Sequence, residues 1–284
     1  MRITAIGAAN IDIITKSKSK IIPGDTNPAD VSLTAGGTAR NIAAMLALRG
    51  EDVSLITAIG SDPFGSILRE SCINIGINTD AWIVKTNAST GVHLSTLDST
   101  GEHYTSFSAV TAPESIRTSE ISKHKGIIKD ADLLILDLNL SEKILGVIFE
   151  LRDKSPIMVD SVSVDKVKRS ENFLGRIDVM KLSRLEAECL TGITLETKER
   201  VKQACFNIIN RGVKRVFITL GMAGVCAADG NTAIFVPALP IAIKNKTGAG
   251  DAFSTGIAIK IDKELRAQAE SGIALAAEHI GRKG

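Results

Sequence analysis

Short, nearly continuous apolar runs alternate along this chain with longer segments in which apolar residues recur at helical spacing. The short runs predict strands covered on both faces, as in a parallel sheet, over residues 2–8, 53–59, 133–138, 157–159, 179–182 and 216–220. The longer segments predict helices over residues 39–48, 64–75, 142–152 and 198–210. Repeated strand–helix units of this kind indicate an open, layered α/β fold.

Two stretches interrupt this alternation, and both carry hairpin signals. Residues 11–36 have no helical period and contain turn-forming residues at Pro23-Gly24-Asp25 and Asn27-Pro28. Residues 82–110 alternate polar and apolar side chains around a turn at Asp98-Ser99-Thr100-Gly101. We interpret both as strands of a small β-sheet lid inserted at one edge of the main sheet. Because no Pro- or Ser-rich linker separates them, residues 1–284 are expected to form a single α/β domain.

The composition of the chain says more about its functional class than about its fold. Of the 284 residues, 44% are hydrophobic but only 4% are aromatic, so aliphatic side chains must fill the core. The net charge of +2, without a block of like charge, argues against a nucleic-acid polymer as partner. No apolar stretch approaches membrane length and no secretory signal is present, so we expect a cytoplasmic protein without a membrane partner. The scattered cysteines form no C-x-x-C pair, which disfavours a metal cluster or a disulfide framework.

The most informative local motif is Gly248-Ala249-Gly250-Asp251, a glycine-rich turn that leads into a helix. Free amides at the start of a helix bind oxyanions, and Asp251 in the first turn could accept a proton from a neighbouring hydroxyl group. A phosphate site and a general base would then lie side by side. An ordinary helix N-terminus with an early acidic residue would also explain the stretch on its own.

Polar residues near the N-terminus form a second candidate site. Asn10 and Asp12 stand two positions apart at the end of the first predicted strand, so their side chains point to the same side. With Gly36, Gly37 and Asn41 they could surround a sugar, because a carboxylate accepts hydrogen bonds from hydroxyl groups and an amide both donates and accepts them. Taken singly, each residue would also fit the end of a strand or the start of a helix.

The usual nucleotide-binding motifs are absent from the sequence. It contains neither G-x-x-x-x-G-K-[ST] nor G-x-G-x-x-G. The predicted strand 216–220 instead runs into Gly221-Met222-Ala223-Gly224 at its carboxyl end, where open α/β sheets bind ligands. An ordinary turn is the alternative.

Together these motifs resemble those of the ribokinase, or phosphofructokinase-B, family of sugar and nucleoside kinases, over nearly the whole chain. The matching pieces are residues 7–12, Gly36-Gly37 with Asn41, residues 60–65, Thr219-Leu220-Gly221 with Gly224, and residues 247–251. The resemblance implies a three-layer α/β/α core with a mostly parallel sheet and a small β-sheet lid. It also implies the use of ATP and Mg²⁺, and a homodimer formed through the lid.

Within the family, residues 25–28, 36–41, 137–140 and 160–163, followed by Lys166, resemble motifs of pseudouridine kinases. This likeness implies phosphorylation of a primary hydroxyl, converting pseudouridine to pseudouridine 5′-phosphate. Two alternatives stay open. One is a kinase for a free sugar (ribose, fructose or a keto-deoxy sugar), because few aromatic side chains are available to stack on a base. The other is a catalytically idle homologue that binds nucleotide or sugar.

The resemblance implies roles residue by residue. Asp251 would take the proton from the substrate hydroxyl, and the amides of Gly248, Ala249 and Gly250 would stabilise the transferred phosphoryl group. The substrate would be held by Asn10, Asp12, Asn27, Gly36, Gly37 and Asn41, and the nucleotide would contact Ser183, Glu186, Thr219, Gly221, Gly224 and Thr247, with Glu186 binding Mg²⁺ through water. Because Asp251 lies near a helix N-terminus, its pKa is expected to be low.

Three departures from the family pattern bear on these roles. Ser183 stands where the family often has Asn, which would rearrange the phosphate and magnesium contacts. Asn245-Lys246-Thr247 replaces a frequent Asp-Thr-Thr, and the lost carboxylate puts activation by a monovalent cation in question. The sequence ends soon after residues 274–277, which leaves the adenine side of the nucleotide site in question.

Overall fold

A computed structural model describes residues 1–230, 232–242 and 247–281. The strands are β1 (Arg2–Ile6), β2 (Asn10–Ser17), β3 (Ala29–Gly36), β4 (Asp52–Ile56), β5 (Ala58–Gly60), β6 (Ile83–Lys85), β7 (Gly91–Leu97), β8 (His103–Ala109), β9 (Leu133–Asp137), β10 (Ile157–Asp160), β11 (Val179–Ser183), β12 (Arg215–Thr219), β13 (Val225–Asp229) and β14 (Thr232–Val236). The α-helices are α1 (Thr38–Ala47), α2 (Pro63–Ile73), α3 (Thr118–Ser122), α4 (Lys125–Lys129), α5 (Glu142–Leu151), α6 (Val164–Val167), α7 (Arg184–Thr191), α8 (Lys198–Asn210), α9 (Ala249–Ile259) and α10 (Leu265–Gly281). Short 3₁₀ segments cover Ala112–Ser115, Lys168–Arg176 and Gly221–Ala223.

The main sheet of the described residues has eight strands in the order β14-β13-β12-β11-β10-β9-β1-β4. Neighbours from β12 to β4 are parallel, and β13 and β14 add an antiparallel edge. Helices cover both faces. Residues such as Ile3 pack with α1, α9 and α10 on one side, and residues such as Ile6 pack with α5, α7 and α8 on the other. Burial on both faces explains why these strands are apolar almost throughout.

A second sheet, with the order β3-β2-β7-β8, forms the lid. Its two faces differ because successive residues of a strand point to opposite sides. One row across the sheet contains Thr34, Asp12, His93 and Ser108, and the next row contains Leu33, Ile13, Leu94 and Phe107. The turn predicted at residues 98–101 joins β7 to β8, with Asp98 accepting hydrogen bonds from the amides of Thr100 and Glu102.

Two details of the predicted strands are wrong. Residues 53–59 do not form one strand, because β4 belongs to the main sheet whereas β5 pairs with β6 in a separate two-stranded sheet. For the same reason β6, at the start of the predicted lid segment 82–110, lies outside the lid. Both errors arise because an apolar run shows that a segment is buried but not which strand it pairs with.

Polar residues end four neighbouring strands of the main sheet. Asp137, Asp160, Ser183 and Thr219 are the last residues of β9, β10, β11 and β12. Parallel strands bring these ends to one edge, where ligands of open α/β sheets bind. Among the helices of the described residues, we find none with the length and apolar character needed to cross a membrane.

Candidate active site

Two cavities adjoin this edge and share the start of α9. The apolar cavity, of about 410 Å³, is lined by Thr219, Gly221, Met222, Gly224, Ala238, Leu239, Ile241, Ala249, Gly250, Phe253, Ile273, Ala276, Ala277 and Ile280. The polar cavity, of about 200 Å³, is lined by Ala8, Asn10, Asp12, Gly37, Thr38, Asn41, His93, Ser108, Val110, Asn139, Val162, Lys166 and Asp251. Ala249 and Gly250 therefore face one cavity while Asp251, the next residue, faces the other.

The turn before α9 has the shape that the glycine motif predicts. Gly248 adopts a left-handed conformation (φ 78°) just before the first residue of the helix. A Cβ atom there would lie 2.7 Å from His279 Nε2, so a side chain would also collide with α10. The same nitrogen lies 2.9 Å from the carbonyl oxygen of Thr247. His279 thus packs α10 against the turn.

Asp251 is fixed by a residue from the opposite side of the polar cavity. Asn41 Nδ2 on α1 donates a 2.8 Å hydrogen bond to Asp251 Oδ2. Burial, together with the negative charge of Asp160, raises the pKa of Asp251 to about 7, although Asn41 and Lys181 act in the other direction. The expectation of a low pKa is therefore wrong. Desolvation of the carboxylate outweighs the helix N-terminus.

A buried group of charges lies beneath the turn before α9. Lys181 Nζ is 3.2 Å from Asp160 Oδ2, which also accepts a 2.7 Å hydrogen bond from Ser254 Oγ on α9. Burial opposes the charge on Lys181, but Asp160, Glu186 and Asp251 nonetheless raise its pKa. A Cβ atom at Gly250 would lie 2.9 Å from Lys181 Nζ, so the glycine leaves space directly above the ammonium group.

Asn10 and Asp12 lie at the polar cavity, but not at the end of β1 as predicted. The first strand ends at Ile6, and both residues begin the lid strand β2. Asn10 Nδ2 donates a 2.6 Å hydrogen bond to Asp12 Oδ1, and burial raises the pKa of Asp12. A Cβ atom at Gly36 would lie 2.3 Å from Asp12 Oδ2, so the glycine makes room for this carboxylate.

Asp137 joins elements that border the polar cavity. Its Oδ2 atom accepts hydrogen bonds from the amides of Ala8 (2.8 Å) and Ala39 (2.9 Å), which belong to the β1–β2 turn and to α1. The carboxyl group is fully buried, and burial raises its pKa. Gly37, between these segments, has φ 99° and would place a Cβ 2.5 Å from the carbonyl oxygen of Ala8.

The predicted nucleotide residues divide between two places. Thr219, Gly221 and Gly224 line the apolar cavity, and α10 closes its far side with Ile273, Ala276, Ala277 and Ile280. The cavity that these predicted nucleotide residues line thus has an apolar wall.

Ser183 and Glu186 lie outside both cavity walls. Ser183 pairs with Thr219 across the sheet and is the N-cap of α7. Glu186 Oε2 accepts 2.6 Å hydrogen bonds from the amide of Ser183 and from Ser161 Oγ. Within the described ranges, no group of three His, Cys, Asp or Glu side chains could hold a metal ion by itself.

One predicted substrate residue is not brought to the site. Asn27 binds its own loop, since its side chain contacts the amide and carbonyl groups of Ile22 and the carbonyl of Asp25. That loop joins the ends of β2 and β3 at Ser17 and Ala29, whereas Asn10 and Gly36 pair at the cavity. Asn245 and Lys246, on which the question of a monovalent cation rests, lie outside the described residues.

Sequence reasoning assigned no role to several residues that the fold places here. Asn139 and Lys166 line the polar cavity, and His93 and Ser108 reach it from the lid. Asp160 and Lys181 support α9 from below. The available signal was the repeated occurrence of a polar residue at the end of an apolar strand, at Asp137 and again at Asp160.

Comparisons with known proteins show which family this sequence matches. The sequence model of the pfkB family of carbohydrate kinases matches residues 1–284. The chain is 33% identical over 258 residues to pseudouridine kinase of Escherichia coli (strain K12), covering 90% of this chain and 82% of that enzyme. It is 25% identical over 285 residues to guanosine-inosine kinase of Exiguobacterium acetylicum, covering 98% of this chain and 94% of the relative.

A solved structure shows the same fold. Arabidopsis thaliana ribokinase, complexed with ribose and ATP, superimposes with a TM-score of 0.86 at 24% identity, over 100% of this chain and 93% of the other. The predicted fold class, an α/β core of ribokinase type with a mostly parallel sheet and a separate small sheet, is confirmed.

Proposed function

The chain belongs to the pfkB family of carbohydrate kinases and is an ATP-dependent sugar or nucleoside kinase, and on that premise we propose that it converts pseudouridine to pseudouridine 5′-phosphate. The observation that carries this proposal is the 2.8 Å hydrogen bond between Asn41 and Asp251. This hydrogen bond joins α1, which borders the sugar residues, to α9, whose first turn lies between the two cavities.

Asp251 acts as the general base. Its carboxylate takes the proton of the 5′ hydroxyl while a bond forms between the 5′ oxygen and the γ-phosphorus of ATP. The bond from that phosphorus to the β,γ-bridging oxygen breaks, and its electron pair leaves with ADP. A pKa of about 7 suits a base that must be ionised near neutral pH yet still accept a proton.

The start of α9 binds the group in transfer. The amides of Gly248, Ala249 and Gly250 precede the hydrogen-bonded body of the helix and are available to phosphate oxygens. Phosphoryl transfer proceeds through a loose transition state, so catalysis depends on alignment and on charge stabilisation. Lys181, held by its ion pair with Asp160, lies directly beneath this turn.

The nucleotide and its metal use the neighbouring elements. The adenine ring occupies the apolar cavity between Gly224 and α10, and Thr219 and Gly221 border the polyphosphate. Mg²⁺ commonly binds through phosphate oxygens, several waters and one or two carboxylates, and the single carboxylate of Glu186 near Ser183 fits that arrangement through water. When bound, the ion neutralises part of the polyphosphate charge.

The lid supports a nucleoside rather than a free sugar. Asp12, His93 and Ser108 stand opposite one another on β2, β7 and β8, and all three line the polar cavity. Adjacent strands are about 4.8 Å apart, so this row extends about 10 Å from the sugar-binding carboxylate. Polar groups at that distance fit the carbonyl and N–H groups of a uracil ring attached to the sugar.

A substrate panel tests the proposal. We expect phosphorylated product, identified by mass, from pseudouridine with a higher kcat/KM than from uridine, inosine, ribose or fructose. Preference for ribose or fructose would instead support a free-sugar kinase. Binding of nucleotide or sugar without product from any member would support an idle homologue.

The proposal includes a homodimer and a cytoplasmic location. Leu33, Ile13, Leu94 and Phe107 form an apolar row on the lid face opposite Asp12, and Leu33 and Phe107 are 50% and 66% exposed. A second lid packed against this row would cover it. The four cysteines are unpaired, as expected in a reducing compartment.

A further inference from the structure

Lys166 is a cation that the mechanism above does not use. It lies on α6, just after β10, and lines the polar cavity together with Asn139 and Asp251. Its Nζ atom donates a hydrogen bond to Asn139 Oδ1, and Asn139 is itself buried. Lys166 therefore holds its ammonium group at the cavity wall that Asp251 also borders.

Lys166 differs from the buried lysines of the described residues in its partner. No carboxylate in the described part of the chain forms an ion pair with it, whereas Lys85 and Lys181 pair with Glu120 and Asp160 at 2.5 Å and 3.2 Å. An amide oxygen satisfies one of its donors but supplies no negative charge. A partly buried cation without a counter-ion favours an anionic ligand.

The backbone that presents Lys166 is strained. Val162, in the same cavity wall, has φ 64°, a rare conformation for a β-branched residue. The amide of Ser163 donates a 2.7 Å hydrogen bond to the carbonyl of Ser161, which closes a tight three-residue turn around Val162. The amide of Val162 donates to Asp160 Oδ1 at 3.1 Å. Such strain persists only where surrounding contacts hold it, and it is typical of functional sites.

These contacts connect Lys166 to the reacting groups. Ser163 begins α6, and its carbonyl accepts the amide hydrogen of Lys166 at 3.2 Å. Asp160, which holds the strained turn, also accepts the Ser254 hydroxyl hydrogen from α9, the helix that carries Asp251. In the sheet order, β10 lies between β9 and β1 on the sugar side and β11 and β12 on the nucleotide side.

We propose that Lys166 is a catalytic residue that binds the transferred phosphoryl group. This inference rests on the proposed function. When the acceptor binds, the ammonium group of Lys166 leaves the side-chain oxygen of Asn139. It then donates a hydrogen bond to a non-bridging oxygen of the phosphoryl group. It keeps that contact in the product, so the site binds a 5′-phosphate more tightly than the corresponding alcohol.

The test compares matched ligand pairs in Lys166→Met, Lys166→Arg and the control Lys168→Met, which removes an exposed lysine two positions away. Dissociation constants are measured for pseudouridine and its 5′-phosphate, and for ribose and ribose 5-phosphate. We expect Lys166→Met to weaken binding of the phosphorylated ligand by about 30-fold, the value of one charge-assisted hydrogen bond, and binding of the alcohol by less than about threefold. Lys166→Arg should restore most of the loss, and Lys168→Met should change neither.

Turnover of the best substrate supplies the second measurement. We expect kcat of Lys166→Met to fall while the KM for the acceptor changes little. If Lys166→Met weakened binding of the phosphorylated ligand and of the alcohol equally, the proposal would be overturned, and Lys166 would instead contact the sugar or the base. A wild-type protein that does not distinguish any phosphate from its alcohol would also overturn it. Failure of the proposed function would appear separately, as absence of product from every acceptor with wild-type protein.

Discussion

At the scale of single residues, two opposing effects act on Asp251. The helix N-terminus favours the ionised carboxylate, whereas burial and the neighbouring charge of Asp160 favour the protonated form. Burial prevails and raises the pKa from 3.8 to about 7. The environment of this residue therefore sets both its reactivity and its effect on stability.

We expect kcat/KM for the acceptor to fall below pH 7 with the slope of a single ionisation, because only the ionised form of Asp251 can accept the proton. Asp251→Asn should lower kcat by about 10³-fold and leave acceptor binding largely intact. Rate profiles at saturating magnesium–ATP, with calorimetric binding of the acceptor, provide the check. Unchanged turnover in the variant would show that another group is the base.

The same shift makes stability depend on pH. Because the pKa is raised on folding, the folded protein binds more protons than the unfolded chain between pH 3.8 and about 7. Asp251 therefore lowers the free energy of unfolding as the pH rises through this range. We expect Asp251→Asn to be more stable than wild type by a few kcal/mol at pH 8, and the difference to vanish near pH 4. Urea unfolding at both pH values measures it.

Gly248 offers a test of the anion-binding turn with a matched control. Gly248 has a positive φ, and the Cβ atom of Gly248→Ala would lie 2.7 Å from His279 Nε2. Gly192, at the end of α7, has a similar φ of 69°, but the Cβ atom of Gly192→Ala would have no atom within 4 Å. The Gly192 variant should lose about 1 kcal/mol of stability because of its positive φ, and the Gly248 variant should lose more because of the added contact with His279. The Gly248 variant should also lose about 10²-fold in kcat, because displaced amides no longer meet the phosphoryl oxygens. Equal kcat values in the two variants would remove the turn from the mechanism.

At the scale of elements, Asp137 joins three segments that the sequence separates widely. It ends β9 and accepts the amides of Ala8 and Ala39, so β9 positions the β1–β2 turn and the start of α1. Asn41 lies on that helix and Asp12 on the following lid strand. The wall of the polar cavity is thus aligned by one buried carboxylate that lies outside the cavity lining.

We expect Asp137→Asn to destabilise the protein by about 2 kcal/mol, because an amide cannot replace both acceptor oxygens. The KM for the acceptor should rise more than kcat falls, since the sugar-binding segments shift and Asp251 does not. Asp132→Asn, an exposed carboxylate just before the same strand that also accepts a backbone amide, is the control. Chemical unfolding and steady-state kinetics measure both effects, and a pure loss of kcat would argue against the alignment role.

At the scale of the whole molecule, the order of strands separates the two cavities. The polar cavity borders the segments that follow β1 and β9, and the apolar cavity borders the end of β12 and the segments that follow it. In the proposed function the acceptor binds in the first cavity and the nucleotide in the second, and the two meet at the start of α9. The small sheet carries a polar row at the polar cavity and leaves an apolar row on its other face.

We expect wild-type protein to have the mass of a dimer by light scattering, and Leu33→Glu to shift it to a monomer, because a charge in the apolar row opposes lid packing. Leu48→Glu, at an even more exposed leucine just after α1, should leave the dimer intact. The monomeric lid variant should bind the acceptor more weakly. A monomeric wild-type protein at working concentration would rule out the lid interface.

The sequence by itself determined the alternation of strands and helices, the position of the lid hairpins and the glycine turn before Asp251. These features are local, since they follow from hydrophobic spacing and from backbone conformations that glycine permits. Helix α8, for example, has the predicted bounds of Lys198–Asn210.

Only the tertiary structure decided which polar residues meet. It separated β5 from β4, kept Asn27 in its own loop, and placed Lys166 in the wall of the cavity that Asp251 also lines. It brought Asp160 and Lys181 close enough to shift the pKa of Asp251. It also reversed the expected direction of the pKa shift of Asp251. The reason is that strand pairing and desolvation depend on neighbours distant in sequence, and no local pattern records how much water a folded chain excludes.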